Sequence, residues 1–168
     1  NPKLGEHFHY LCTAGVVFKI MHALLKTRPL KDFDLKIYLD IVALGTIADI
    51  VPLEGENRLF ARRGLAQLDR TIHPGLVALK SVAGVTSPMR THDVGFKLGP
   101  RLNASGRLDT AVASLELLLC QDPIKAETLA ESLDAQNRER QDLELATREA
   151  AERLLHELPA PQRSHGIV

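Results

Sequence analysis

The residue in this chain whose setting most needs chemistry is Asp49, an ionisable carboxylate inside a run, residues 41–53, that is apolar nearly throughout. Burying an unpaired charge there would cost several kcal/mol, about the scale that forces a buried carboxylate to find a partner. A hard divalent cation is one such partner, because Mg²⁺ and Mn²⁺ favour carboxylate oxygens. A helix cap or an ion pair with a nearby arginine is the other. Asp40, at the head of the same run, is the rival carboxylate and stands where an element boundary would leave it exposed. A second group is Arg101 and Arg107, which flank a stretch where Gly99, Ser105 and Gly106 let a backbone come close to a ligand and Asn103 adds an amide. The planar guanidinium fork matches phosphate oxygens, and a helix expected over residues 108–119 would add the favourable dipole of its N-terminus. The alternative partners for both arginines are acids of a long helix further along.

That helix carries the third group. Its apolar face runs Leu129, Ala130, Leu133 and resumes at Leu143, Ala146, Ala150, Leu154, with Asn137, Arg140 and Gln141 between. A polar turn inside an apolar stripe faces either a groove holding an anion or open water between domains. The seven histidines show no metal-ligand spacing; His7 and His9 are close in sequence and are left unassigned. Cys12 and Cys120 are too few for a disulfide framework or a zinc knuckle, which suits a reducing cytoplasm. No nucleophile elbow, P-loop or dinucleotide signature occurs.

Charge sharpens the picture. The net formal charge is zero, yet residues 58–107 hold nine Lys and Arg against two acids, whereas residues 108–157 hold twelve acids against five bases. A polyanion would be drawn to the middle of the chain; equally, the two segments could neutralise each other across a fold.

The elements that position these groups follow from periodicity. With 168 residues, 45% of them hydrophobic, the chain is long enough to bury one core. Residues 11–25 place Ala14, Val17, Phe18, Met21, Leu24 and Leu25 at helical spacing. Residues 41–53 bury both faces, which favours a short strand entering a turn at Gly45-Thr46 over a buried helix. Asn57 caps a helix to about Leu68, with Leu59, Phe60, Leu65 and Leu68 inward. His73-Pro74-Gly75 opens another. Residues 84–105, rich in Gly, Ser, Thr and Pro, read as a loop, and residues 125–158, free of Gly and Pro, as one helix of about 50 Å. No apolar run approaches the length of a membrane span. Both ends look cut, and Ile167-Val168 looks like a strand just starting.

Residues 40–53 (DIVALGTIADIVPL) followed by Glu56-Asn57-Arg58 closely resemble a signature of the RecJ exonucleases, within the DHH phosphoesterase superfamily. Residues 96–108 (FKLGPRLNASGRL) are similar to the family's P-R-I-N-A-A-G-R segment, with Leu102 and Ser105 as departures, and residues 137–141 (NRERQ) resemble its N-x-x-R-Q element. Asn1-Pro2-Lys3 and the helix after Ala14-Gly15-Val16 look like the stretch that follows the family's DHH triplet. The resemblance implies an α/β protein in which residues 1–124 are the C-terminal part of a DHH-type catalytic domain, helix-rich here. Residues 125–158 would be the connecting helix, and residues 159–168 a linker and first strand of a second domain.

It further implies 5′→3′ hydrolysis of single-stranded DNA with two Mn²⁺ or Mg²⁺ ions, in DNA repair and recombination. Asp49 would be a metal ligand, and Arg101, Asn103, Ser105, Arg107, Asn137 and Arg140 would bind nucleic-acid phosphate. The DHH triplet and the family's aspartate motifs are not in this sequence, so most metal ligands would lie elsewhere and the chain would be inactive alone. An oligoribonucleotide or cyclic-dinucleotide phosphodiesterase of the same superfamily, and an inactive nucleic-acid-binding relative, are the competing readings.

Overall fold

Glycine and proline are absent from residues 125–157, and there the chain forms one helix, α8 (Pro123–Glu157), 35 residues long. Its start is set by Asp122, whose carboxylate accepts the Ile124 N–H at 2.9 Å, with Pro123 in the first turn, where a missing N–H costs nothing. The computed structural model describes residues 10–108 and 111–157. Within these, α1 (Thr13–Thr27), a 3₁₀ turn (Leu35–Tyr38), α2 (Leu39–Ala48), α3 (Gly55–Asp69) and α4 (Pro74–Val82) precede a continuous helical stretch. That stretch comprises α5 (Thr91–Asp93), π-helical turns (Val94–Leu98) and α6 (Gly99–Leu108), and α7 (Val112–Leu119) follows before α8. The described residues are helix-rich and contain no strand. No helix among them is long and apolar enough to cross a membrane.

Several expectations need correcting. The run 41–53 is not a strand entering a turn but α2 and the segment after it. A helix apolar on nearly all sides is one buried on nearly all sides, and α2 buries Val42, Ala43, Leu44 and Thr46. Gly64 explains how closely α3 crosses it: a Cβ there would lie 2.2 Å from the Leu39 carbonyl oxygen and 2.3 Å from the Ala43 Cβ. Asn57 does not cap α3 but sits in its first turn, fully buried, donating through Nδ2 to the carbonyls of Tyr10 and Pro52, each at 2.9 Å. Leu59 is exposed, whereas Phe60 and Leu68 point inward as expected. The helix expected from residue 108 begins at Val112.

The stretch 84–105 is a loop only in its first part; from Thr91 it is helical. Gly84 serves a turn, with φ 59°, but Gly99 serves packing. A Cβ on Gly99 would lie 3.0 Å from the Val94 carbonyl oxygen and 3.4 Å from the Ala48 Cβ, so glycine is what lets α6 approach the end of α2. The core joins Leu44, Leu68, Leu79, Val94 and Leu117 to the first half of α8 through Ala126, Ala130 and Leu133. Beyond Asn137 that helix leaves the core, and Leu143, Leu145 and Leu154 are exposed. The expected linker and strand over residues 159–168 lie outside the described residues.

Candidate metal and nucleic-acid site

The two carboxylates of residues 40–49 exchange the burial expected of them. Asp40, in the first turn of α2, is fully buried. It accepts the Ile41 N–H at 2.7 Å and the Thr71 hydroxyl at 2.6 Å, and His73 Nε2 lies 3.7 Å away. Negative charge at a helix N-terminus is favoured by the dipole, and the Thr71 hydrogen bond satisfies a second oxygen, so Asp40 is tolerated as a structural group.

Asp49 is exposed instead, because it caps the C-terminal end of α2 where the run leaves the core. Carbonyl oxygens and the negative end of the helix dipole gather at that end, a setting that repels a carboxylate and attracts a cation. No basic group among the described residues forms an ion pair with it. Directly after it the chain reverses through Ile50, whose φ of 55° is left-handed and which is 89% exposed. For a β-branched residue that conformation costs about 1–2 kcal/mol.

Two adjoining cavities converge here. One, of about 340 Å³, is lined by Cys12, Thr13, Ala14 and Gly45 together with Ala48, Asp49 and Asn103. The other, of about 220 Å³, is lined by Ala48, Ile50, Gly95, Gly99, Pro100, Asn103 and Arg140. Ala48 and Asn103 belong to both, so Asp49, Asn103 and Arg140, distant in sequence, share one groove. Of the polar turn of α8, Arg140 lines the smaller cavity, whereas Gln141 is exposed. Asn137 is buried and its Oδ1 accepts from Arg140 Nη2 at 3.2 Å, while Arg140 Nη1 pairs with Glu144; these contacts hold the guanidinium at the groove with 19% of the side chain exposed.

Arg101 is not in that lining. Its Nε donates to Asp134 of α8 at 2.8 Å and its Nη1 to the Lys97 carbonyl at 2.8 Å. Asp134 is buried and also pairs with Arg138, so Arg101 occupies the alternative the sequence offered, an acid of the long helix. Ser105 and Arg107 lie on α6, but their side-chain placement is outside what the structure describes. Charge in this region is also fixed at Asp93, whose carboxylate is held below its ordinary value by the Lys97 ammonium at 2.8 Å and by the Arg90 N–H at 3.1 Å, against the opposing effect of burial. Sequence reasoning missed Phe96, 71% exposed and stacked on His92 with ring centroids 4.8 Å apart; its place next to Gly95, a groove residue, is visible only once the stretch is known to be helical.

Does the groove fit divalent metal? Among the described residues no cluster of three or more His, Cys, Asp or Glu is placed to hold an ion. Asp49 supplies one exposed carboxylate at the negative end of a helix, which suits one corner of a metal site and cannot complete it.

No family model matches the chain. Curated relatives do. The chain is 44% identical over 144 residues to the single-stranded-DNA-specific exonuclease RecJ of Bacillus subtilis (85% of this chain, 18% of that protein), and 40% identical over 172 residues to that of Dickeya dadantii (94% and 30%). It thus spans less than a third of the length of these relatives. Among solved structures, exonuclease RecJ bound to manganese aligns with a TM-score of 0.81 at 34% identity, covering 94% of this chain and 40% of that one. RecJ of Thermus thermophilus in complex with Mg²⁺ aligns with a TM-score of 0.76 at 35% identity, covering 94% and 24%. In sequence and in fold, the chain matches one stretch of the RecJ single-stranded-DNA-specific exonucleases.

Proposed function

We propose that this chain forms part of a metal-dependent exonuclease that degrades single-stranded DNA from its 5′ end in the cytoplasm, serving repair and recombination. The observation that carries the reading is the convergence of Asp49, Asn103 and Arg140 on one groove, in a chain whose relatives are RecJ exonucleases. In the whole protein the stretch would complete an α/β, DHH-type catalytic domain, with α8 running on towards a second domain. Asp49 would be one ligand to a pair of Mn²⁺ or Mg²⁺ ions whose other ligands come from outside the described residues; bound there, such ions activate water for phosphodiester hydrolysis.

The chain's own residues have simpler tasks. The end of α2 holds the Asp49 carboxylate in the open, Asn103 offers an amide to a phosphate oxygen, and Arg140, steadied by Asn137, offers positive charge. Arg101 contributes indirectly, by locking α6 to α8 so that Asn103 and Arg140 stay opposite each other; Ser105 and Arg107 would extend the phosphate track along α6.

The test is the protein at the full length of its RecJ relatives, assayed with Mn²⁺ on 5′-phosphorylated single-stranded DNA. Asp49→Ala is expected to abolish hydrolysis without lowering the melting temperature, since among the described residues the carboxylate makes no ion pair and stands at the helix end that disfavours it. Near-normal turnover of that variant at saturating Mn²⁺ would sink the assignment. A parent protein that ignores DNA and cleaves short oligoribonucleotides would instead favour the phosphodiesterase reading.

A further inference from the structure

Ile50 is held in a conformation that suits it poorly and, among the described residues, recovers nothing by burial. Its φ is 55°, its side chain is 89% exposed, and its N–H donates at 3.2 Å to the Ile47 carbonyl. Where a helix ends through a left-handed residue, glycine or asparagine is the default, because neither suffers the clash of a β-branch. The chain uses glycine at its other positive-φ positions among the described residues, Gly55 and Gly84. A strained residue that contributes no packing points to a role outside the fold.

Its place says what that role is. Ile50 follows Asp49 and lines the smaller cavity, with Pro100 also on the wall and with Asn103 and Arg140 as its polar members. The lining is therefore amphipathic: aliphatic side chains accompany an amide and a guanidinium. A nucleotide is amphipathic in the same sense, with a charged phosphate and an apolar sugar edge and base face. Building on the nuclease reading above, we infer that Ile50 is a substrate-positioning residue, packing against the sugar and base of the nucleotide whose phosphate meets Arg140 and Asn103. An aliphatic side chain makes no hydrogen bond to a base edge, so this contact grips every base alike. The strain is retained because at this turn the side chain that follows Asp49 lines the groove.

The experiment compares Ile50→Asn, Ile50→Gly and Ile50→Val with the parent, at the full length of the RecJ relatives, by melting temperature and by affinity for oligothymidylate and oligodeoxyadenylate. Asparagine relieves the strain and removes the apolar contact. That variant is expected to melt about 1–3 °C higher and to bind both oligonucleotides about fivefold more weakly, the loss from uncovering roughly half an isoleucine side chain. Glycine should behave alike, with a smaller gain in melting temperature because it also loosens the unfolded chain. Valine keeps the aliphatic branch and should retain the parent's affinity.

A raised melting temperature with unchanged affinity would overturn the inference, since the strain would then serve nothing at the groove. Lower melting temperatures for both asparagine and glycine would overturn it too, by showing the side chain buried against other polypeptide. A loss confined to one of the two oligonucleotides would replace a general grip with base recognition. A parent that binds no single-stranded DNA would instead sink the nuclease reading itself, and this inference with it.

Discussion

Replacing Arg101 with alanine tests whether that residue works through the fold or on the ligand. Its Nε bonds a nearly buried carboxylate, that of Asp134, and its Nη1 bonds the Lys97 carbonyl, both at 2.8 Å. Removing one partner of a buried pair costs about 3–5 kcal/mol when the other is stranded. Asp134 would not be wholly stranded, because Arg138 also reaches it, but that side chain is 74% exposed and such i,i+4 pairs contribute only about 0.3–0.5 kcal/mol. Arg101→Ala should therefore destabilise by about 3 kcal/mol. Asp134→Ala, which leaves Arg101 its carbonyl partner, should cost about 2 kcal/mol. The double variant should lose less than the sum, with a coupling energy of about 2 kcal/mol. Urea denaturation followed by circular dichroism measures all three. In parallel, the slope of log affinity for single-stranded DNA against log salt should move by less than about 0.3 for Arg101→Ala, against about 0.7 for each phosphate that the protein ceases to neutralise. A stability loss under about 0.5 kcal/mol, or a slope change of about 0.7, would refute the structural assignment.

Gly64→Ala should destabilise by about 3 kcal/mol or prevent folding, because the added methyl meets the Leu39 carbonyl and Ala43, and chemical denaturation will read it. Asp40→Ala removes the acceptor for the Ile41 N–H and the Thr71 hydroxyl and should cost about 2–3 kcal/mol in the same assay, in contrast to Asp49→Ala, which should cost no stability. The depressed Asp93 carboxyl contributes stability that is present above the ordinary aspartate value of 3.8 and is lost as pH falls through its lower folded value. Asp93→Asn should therefore be less stable than the parent at neutral pH, and the difference should shrink below about pH 4 in acid titration of the unfolding free energy.

Elements whose stability is local were legible in the sequence. An unbroken stretch without Gly or Pro places α8 within two residues of its start, Pro123 against an expected Lys125, and the His73-Pro74-Gly75 signal places α4. Elements decided by their neighbours were not. Residues 39–48 are apolar on every side, so they carry no period that separates helix from strand; what decides is α3, whose Gly64 lets it lie against α2. The exchange of burial between Asp40 and Asp49 has the same origin. Thr71, thirty-one residues away, makes burial of Asp40 tolerable, and no residue near it in sequence announces that bond. Small residues around Gly99 mimic loop composition because close helix contact and tight turning select the same side chains. Of the candidate site, Asp49, Asn103 and Arg140 stood out by their local settings and again in the resemblance; their convergence on one groove needed the packing of α2, α6 and α8.

The partition of α8 also has a mechanical meaning. Its first half is clamped in the core up to Asn137, and residues 141–156 stand almost wholly clear of it. From Asn137 to Glu157 is about 30 Å of uninterrupted helix at ~1.5 Å per residue. A tilt of about 10° at the clamp therefore sweeps the far end through about 5 Å, close to one helical pitch. Arg140 sits at the fulcrum, three residues beyond the last clamped position. A tilt that carries the far end about 5 Å would therefore move the backbone at Arg140 by only about 1 Å, so the geometry keeps the groove residue nearly in place while the exposed length of the helix swings.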